Sequence, residues 1–172
     1  MDLIPAWIDG VLQPVEKLLV HQRGLQHKAV SVFAVYGDKI LIQQRAAAKY
    51  HTPNLWANTC CTHPFWEEDD LVCAHRRLDQ ELGIHGLDLR PVGEVRYRAD
   101  VGNGLIEDEV VAVFTAKAGA DLAMALNPIE AQAARWVGIE ALLQEIAEGP
   151  ARFTPWLRIY LTEHRGQILG DL

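Results

Sequence analysis

Apolar and polar residues along this chain alternate with two periods, and each predicts its own elements. Period two comes first. Val30–Tyr36 and Lys39–Gln44 are β-rich runs joined by Gly37-Asp38, a turn with glycine first, which predicts a hairpin. Asp9-Gly10, between Trp7-Ile8 and Val11-Leu12, predicts another short hairpin turn. In Val92–Ala99, the residues Val95, Tyr97 and Ala99 point one way; Val101–Gly104 then turns. Leu105–Thr115 is a long strand in which Glu107, Glu109, Val111 and Val113 share a face, and Arg135–Val137 predicts a further strand. The helical period predicts a helix over Glu68–Leu82, with Leu71, His75, Leu78 and Leu82 on one stripe, Asp69 and Asp70 in its first turn and Gly83 at its cap. Ile139–Glu148 predicts a helix closed by Gly149-Pro150, and Thr154-Pro155 opens a last one running to about His164. Strands and helices mix without regular βαβ alternation. The expected class is α/β (α+β), a mixed β-sheet sandwiched between helices.

Length and charge narrow the range. At 172 residues the chain suits one domain, and its Ala-rich connection at residues 117–127 is too short to divide it. A net charge of −7 argues against a general nucleic-acid or membrane-surface partner but not against a small anionic substrate met by local cations or a metal. No apolar run approaches the roughly 20 residues needed to span a bilayer. The start, MDLIPAWIDG, lacks a basic segment and a long apolar one, so a cytoplasmic location is expected. Of the cysteines, Cys60 and Cys61 are neighbours, which suits free thiols in a reducing compartment rather than a disulfide framework.

Candidate chemistry concentrates between Asn54 and Gly83, where Cys60, Cys61 and His63 precede a helix carrying Arg77 and Glu81. Cys61 is open to several readings: nucleophile, zinc ligand, proton donor or small buried hydrophobe, the last being the expectation for Cys60 and Cys73. A zinc knot of Cys60, Cys61, His63 and His75 lacks a second pair at ligand spacing. Elsewhere, Glu107 and Glu109 point where a pocket or core should be. Like charges that close call for a cation between them. His21, His27 and His63 would complete a mixed nitrogen and oxygen site for a divalent ion such as Mn²⁺, Zn²⁺ or Mg²⁺. Lys17, Arg45, Lys49 and Arg77 could hold a phosphate; the blander role for Arg77 and Glu81 is a surface ion pair one turn apart.

Thr62, Glu68 and the run Arg76-Arg77-Leu78-Asp79-Gln80-Glu81-Leu82-Gly83-Ile84 together resemble a degenerate Nudix box, with Thr62 for the leading glycine and Arg77 and Gln80 where helix glutamates would bind metal. With WANTCCTHP, RYRAD and EDEV, the chain from Glu16 to Trp156 resembles the type I isopentenyl-diphosphate Δ-isomerases of the Nudix superfamily. The resemblance implies a Nudix-like domain spanning 1–172, with an N-terminal segment 1–27 closing onto the site and a core over 28–167. It implies isomerisation of isopentenyl diphosphate to dimethylallyl diphosphate through a tertiary carbocation, by a monomer with no nucleic-acid or membrane partner. Cys61 and Glu109 would be the catalytic pair, with Tyr97 bonded to Glu109. His21, His27, His63, Glu107 and Glu109 would bind one divalent metal, and Glu81 the Mg²⁺ arriving with the diphosphate. Lys17, Arg45, Lys49 and Arg77 would contact the diphosphate, and Trp156 would cover the hydrocarbon. The competing reading is a Nudix-type diphosphohydrolase, which the loss of helix carboxylates disfavours.

Overall fold

The segment QHKAVSVFAVY is apolar on both alternating faces, the mark of a strand covered on both sides. It forms β3 (Gln26–Tyr36), and the sheet is assembled around it in a computed structural model that describes residues 2–170. One edge of β3 pairs in parallel with β8 (Leu105–Lys117), from Gln26 opposite Asp108 to Val35 opposite Lys117. Its other edge is shared by three strands. β1 (Leu3–Ile8) meets it at His27, β6 (Cys60–Thr62) at Val30–Val32, and β4 (Lys39–Arg45) at Val35 and Tyr36. Outside these, β2 (Val11–Glu16) pairs with β1 and β7 (Arg90–Gly102) with β8, while β5 (Trp56–Ala57) and β9 (Ala131–Gly138) pair with β4.

Helices cover both faces, as expected. Val30, Val32 and Ala34 of β3 pack with Cys73, Ala74, Leu78 and Leu82 of α2 (Asp70–Leu82). Ala29, Phe33 and Val35 face the other way, into a core with Leu142 of α3 (Ile139–Glu148) and Trp156, Leu157 and Tyr160 of α4 (Pro155–Glu163). Alternation on β6 also separates the adjacent thiols: Cys60 is buried in the α2 core, whereas Cys61 packs against the opposite one. α1 (Lys17–Arg23) lies between β2 and β3, and α5 (Arg165–Leu169) follows α4. Among the described residues no helix is long and apolar enough to cross a membrane.

Several boundaries differ from expectation, each for a local reason. The central helix starts at Asp70 rather than Glu68, because Asp69 is its cap, accepting from the Leu71 and Val72 N–H groups. Glu68 instead accepts from the Phe65 N–H and from Arg76. The buried stripe is also rotated. Leu71 and His75 are exposed, and the sheet takes the side with small Cys73 and Ala74, which lets the helix approach closely. β3 begins four residues earlier than expected, drawn out by β8 and β1. β7 runs on to Gly102, leaving only Asn103-Gly104, both at positive φ, as the turn. The last helix stops at Glu163, and α5 follows unforeseen, as does α1, whose cap is the Glu16 carboxylate.

Gly83 closes α2 at φ 61°, its N–H bonded to the Asp79 carbonyl, and a Cβ there would lie 2.8 Å from Ala125. Both strain and collision oppose a side chain. Gly83→Ala should therefore destabilise by more than about 1 kcal/mol, read as a lower midpoint in urea unfolding at unchanged slope.

Candidate active site

Three neighbouring strands set one row of polar side chains. His27 on β3 is the parallel partner of Glu109 on β8, and Tyr97 on β7 is the antiparallel partner of the same glutamate. Register alone thus aligns groups 82 residues apart in sequence. Glu107 and Glu109 are 3% and 1% exposed, so both carboxylates depend on partners rather than water. Tyr97 Oη lies 2.9 Å from Glu107 and 2.6 Å from Glu109. His63, just beyond β6, puts Nε2 2.9 Å from Glu109 Oε1, and His27 Nε2 is 3.5 Å from the same oxygen. Cys61 enters from β6, directly across the strand pair from Ser31.

The electrostatics divide the two carboxylates. Burial and the charge of Glu109 push Glu107 well above the ordinary carboxylate range. Burial also opposes ionisation of Glu109, but the facing imidazoles of His27 and His63, the latter hydrogen-bonded to it, outweigh burial and hold its carboxyl below that range. A tyrosine hydroxyl has one proton to give. A protonated Glu107 donating to Tyr97, which donates to an ionised Glu109, satisfies all three groups. Burial raises the Cys61 thiol well above its ordinary value, and Glu109 and Glu107 push it further, so Cys61 holds its proton.

His21, on α1, completes a cluster of buried imidazoles. Its ring centroid is 4.8 Å from that of His27 and 5.0 Å from that of His63. Nδ1 of His21 donates to the Lys17 carbonyl and Nδ1 of His27 to the Leu25 carbonyl, each at 2.7 Å. That fixes both tautomers and leaves a lone pair on each Nε2. Among the described residues these two Nε2 atoms and His63 Nδ1 are buried with no hydrogen-bond partner, and one nitrogen from each of the three rings falls within 4.8 Å of the others. Orphaned lone pairs converging beside two carboxylates are what a divalent cation needs, so the residues fit a metal.

The expected cations gather above this cluster. Lys17, Arg45 and Arg77 line the same cavity as Cys61, His63, Glu107, Glu109 and Trp156. Burial and repulsion from Arg77 and Lys49 lower the Lys17 ammonium, as in a cationic site without its anion. Lys49 is not on the cavity wall; it pairs with Glu130, which also accepts from Arg77 at 3.1 Å. Glu81 lies on α2, its oxygens taken by Arg77 at 2.6 Å and Gln43 at 2.7 Å. Burial works against the charge of Arg77, and Glu81 and Glu130 more than offset it. Trp156, on α4, is 1% exposed, with the Arg45 guanidinium 5.3 Å from its ring centroid. The zinc knot does not form: His75 is exposed, and Cys60 faces away from Cys61. The cavity is small, about 30 Å³. A larger one of about 650 Å³, lined by residues such as Val35, Lys117 and Ile168, lies at the other end of β3 and β8, away from every expected site residue.

Sequence reading missed several participants. His51 and Tyr50 line the cavity from the loop after β4, Glu130 ties Lys49 to Arg77, and Ser31 bonds Tyr160 at 2.9 Å behind Cys61. Ser31 was within reach, since β3 alternation puts it on the face of Ala29 and Phe33. The others sit in loops, where no period exposes them.

The chain matches the NUDIX domain family model over residues 25–157. It is 59% identical over 167 residues to the isopentenyl-diphosphate Delta-isomerase of Rhodobacter capsulatus, covering 97% of this chain and 95% of that protein. Its identity to the protein of the same name from Cereibacter sphaeroides is 58% over 171 residues, covering 99% and 97%. The chain belongs to the isopentenyl-diphosphate Δ-isomerase family. Its fold is that of the Nudix proteins. A crystal structure from Deinococcus radiodurans superposes with a TM-score of 0.73 at 16% identity, covering 94% of this chain and 97% of that one. A MutT NUDIX hydrolase from Burkholderia pseudomallei gives 0.61 at 21% identity, covering 79% and 95%. On α2, Gln80 accepts from Arg76 and Arg77, each at 3.2 Å.

Burial lowers His21 to about 4 and His51 to about 2, and takes His63 well below its ordinary value. These imidazoles fold neutral but take protons in the unfolded chain below about pH 6.5. Without metal, stability should be full above about pH 6.5 and fall as pH drops towards 4, by up to about 1.4 kcal/mol per imidazole per pH unit. Melting scans with a chelator at pH 7.5 and 5.5 check this.

Proposed function

We propose that this chain interconverts isopentenyl diphosphate and dimethylallyl diphosphate by protonation and deprotonation, with Cys61 and Glu109 as the catalytic pair. The observation that carries the site assignment is that Cys61 and Glu109, from two different strands, line one cavity together with Lys17, Arg45, Arg77 and Trp156. An alkene is a weak base, so one group must deliver a proton to the terminal methylene while the other removes one from the allylic carbon. Positioned acid–base groups supply roughly 10²–10⁴-fold; orientation and charge stabilisation must supply the rest. A thiol that keeps its proton beside an ionised carboxylate gives the pair the opposite protonation states this reaction requires. Tyr97 orients Glu109 and links it to Glu107.

His21, His27, His63, Glu107 and Glu109 would hold a divalent ion, Mn²⁺, Zn²⁺ or Mg²⁺. When bound, it supplies positive charge that sets the proton affinity of the carboxylates. Lys17, Arg45, Lys49 and Arg77 would bind the diphosphate, Lys49 and Arg77 leaving Glu130 to do so. Glu81 keeps lone pairs beyond those used by Arg77 and Gln43, and would bind the Mg²⁺ accompanying the diphosphate. A cavity of about 30 Å³ is too small for the substrate, so a wall must open. The segment 1–27, which brings Lys17 and His21, is that wall in our reading. The enzyme acts as a cytoplasmic monomer without nucleic-acid or membrane partners. A diphosphohydrolase is not favoured, since the curated relatives are named as isomerases and α2 has Arg77 and Gln80 at two positions where the resemblance calls for metal-binding glutamates.

Cys61→Ala and Glu109→Gln should each abolish conversion of isopentenyl diphosphate while the melting curve with metal persists. Wild-type enzyme in D₂O should place deuterium in a product methyl group. Normal turnover by either variant refutes the assignment. Trp156 offers a π face to the developing cation, worth on the order of 2 kcal/mol when desolvated. Trp156→Leu should then lower kcat by about thirtyfold with a smaller change in KM, measured by steady-state assay.

A further inference from the structure

His51 belongs to none of the ligand sets that the family resemblance implies, yet it is 4% exposed and points among them. With His21 and Glu107 it forms a second group of donor atoms within 4.8 Å of one another. This group overlaps the cluster of His21, His27 and His63 at His21. The His51 and His21 rings are stacked, 5.8 Å between centroids and 25° from coplanar. His51 Nδ1 is 3.1 Å from Thr52 Oγ1, and His51 Nε2 is 3.6 Å from Glu107 Oε1, beyond a good hydrogen bond. A neutral imidazole nitrogen and a carboxylate oxygen held at that distance suit two ligands awaiting a shared cation.

The loop that delivers His51 is strained. Thr52, a β-branched residue, has φ 45°, and Asn54 has φ 63°. Such backbone persists where the surroundings over-determine it, and it gathers at functional sites. Here Arg45 does the holding. Its Nε donates to the Thr52 carbonyl and its Nη2 to the His51 carbonyl, each at 3.2 Å. The Trp156 ring, 6.0 Å away between centroids, walls the imidazole on another side.

We propose that His51 is a further ligand of the divalent ion, entering from the His21 and Glu107 side; this rests on the His/Glu cluster being a metal centre. Two separate ions are excluded by His21. Its Nδ1 proton is given to the Lys17 carbonyl, so one lone pair remains for one ion. Ligands opposite each other on a six-coordinate ion with bonds of about 2.1 Å lie about 4.2 Å apart, within the observed spread. Three histidines and two monodentate glutamates leave one of six positions to solvent. His51 fills it, and so keeps water from the place where a carbocation must survive.

Metal binding without substrate tests this, so its failure is separable from failure of the isomerase reading. Wild type, His51→Ala and His51→Gln are stripped of metal, checked for folding by circular dichroism, and titrated with Mn²⁺ and Co²⁺ against a competing chelator. The expected result is one ion per chain throughout, held at least about tenfold more weakly in the variants. The visible Co²⁺ bands should intensify as coordination falls from six to five, and imidazole added to His51→Ala should restore the wild-type spectrum. His51→Gln keeps a polar side chain in the loop and serves if the alanine variant does not fold. Unchanged affinity and spectrum would overturn the proposal. So would a second ion in the wild type that disappears in the variants, because His51 would then serve a separate site.

Discussion

Burying two carboxylates side by side is the constraint on which the site depends. Glu107 and Glu109 share a strand face with almost no access to water, and an unpaired buried charge would cost several kcal/mol. The sheet answers with β3 on one side of β8 and β7 on the other, so that His27 and Tyr97 flank Glu109 by register. Slipping either strand by one residue would turn its partner to the opposite face and leave the carboxylate bare. The geometry of this polar row and fold specificity are therefore one requirement. The apolar pairing of β3 with β8 over its full length supplies the energy that holds the polar end in place.

The same constraint explains how much could be read from the chain. Period-two alternation in Leu105–Thr115 puts Glu107 and Glu109 with Val111 and Val113, and the structure keeps that face. The hairpin at Gly37-Asp38 was legible because two residues decide it, and α3 because its apolar period and its Gly149-Pro150 stop agree. Pairings across long loops were not. That His27 meets Glu109 is a property of a parallel ladder between distant strands, and no local pattern carries it. α1 was invisible because it has only seven residues and its cap is a glutamate. The α2 stripe was misplaced because periodicity marks apolar residues, whereas close packing selected Cys73 and Ala74. For the site, family resemblance named residues that the structure brings together, while His51 and Glu130, set by loop conformation, were left out.

α2 shows what a scaffold becomes when its chemistry is moved. Its helix still ends in a left-handed glycine and still aims Glu81 inward. With Arg77 and Gln80 on the neighbouring positions, Glu81 has a cation and an amide beside it rather than further carboxylates. The charges are not free. Arg77 is shared between Glu81 and Glu130, and Lys49 is held by the same Glu130. Such internal pairs keep buried cations tolerable before an anion arrives. If Lys49 and Arg77 bind the diphosphate as proposed, these pairs would also set a threshold, since it would have to outcompete Glu130 for both side chains.

Water exclusion then ties the two ends together. A tertiary carbocation is destroyed by any nucleophile within reach, so the reacting centre needs positive-charge tolerance without lone pairs beside it. In the proposed mechanism Trp156 would provide a π face, and the carboxylates negative charge held in place by Tyr97 and the histidines. Space left over around a bound substrate would fill with water. α1 brings Lys17 to the cavity wall and His21 into the imidazole cluster. If these residues hold the diphosphate and the metal as proposed, one short element links the two binding events.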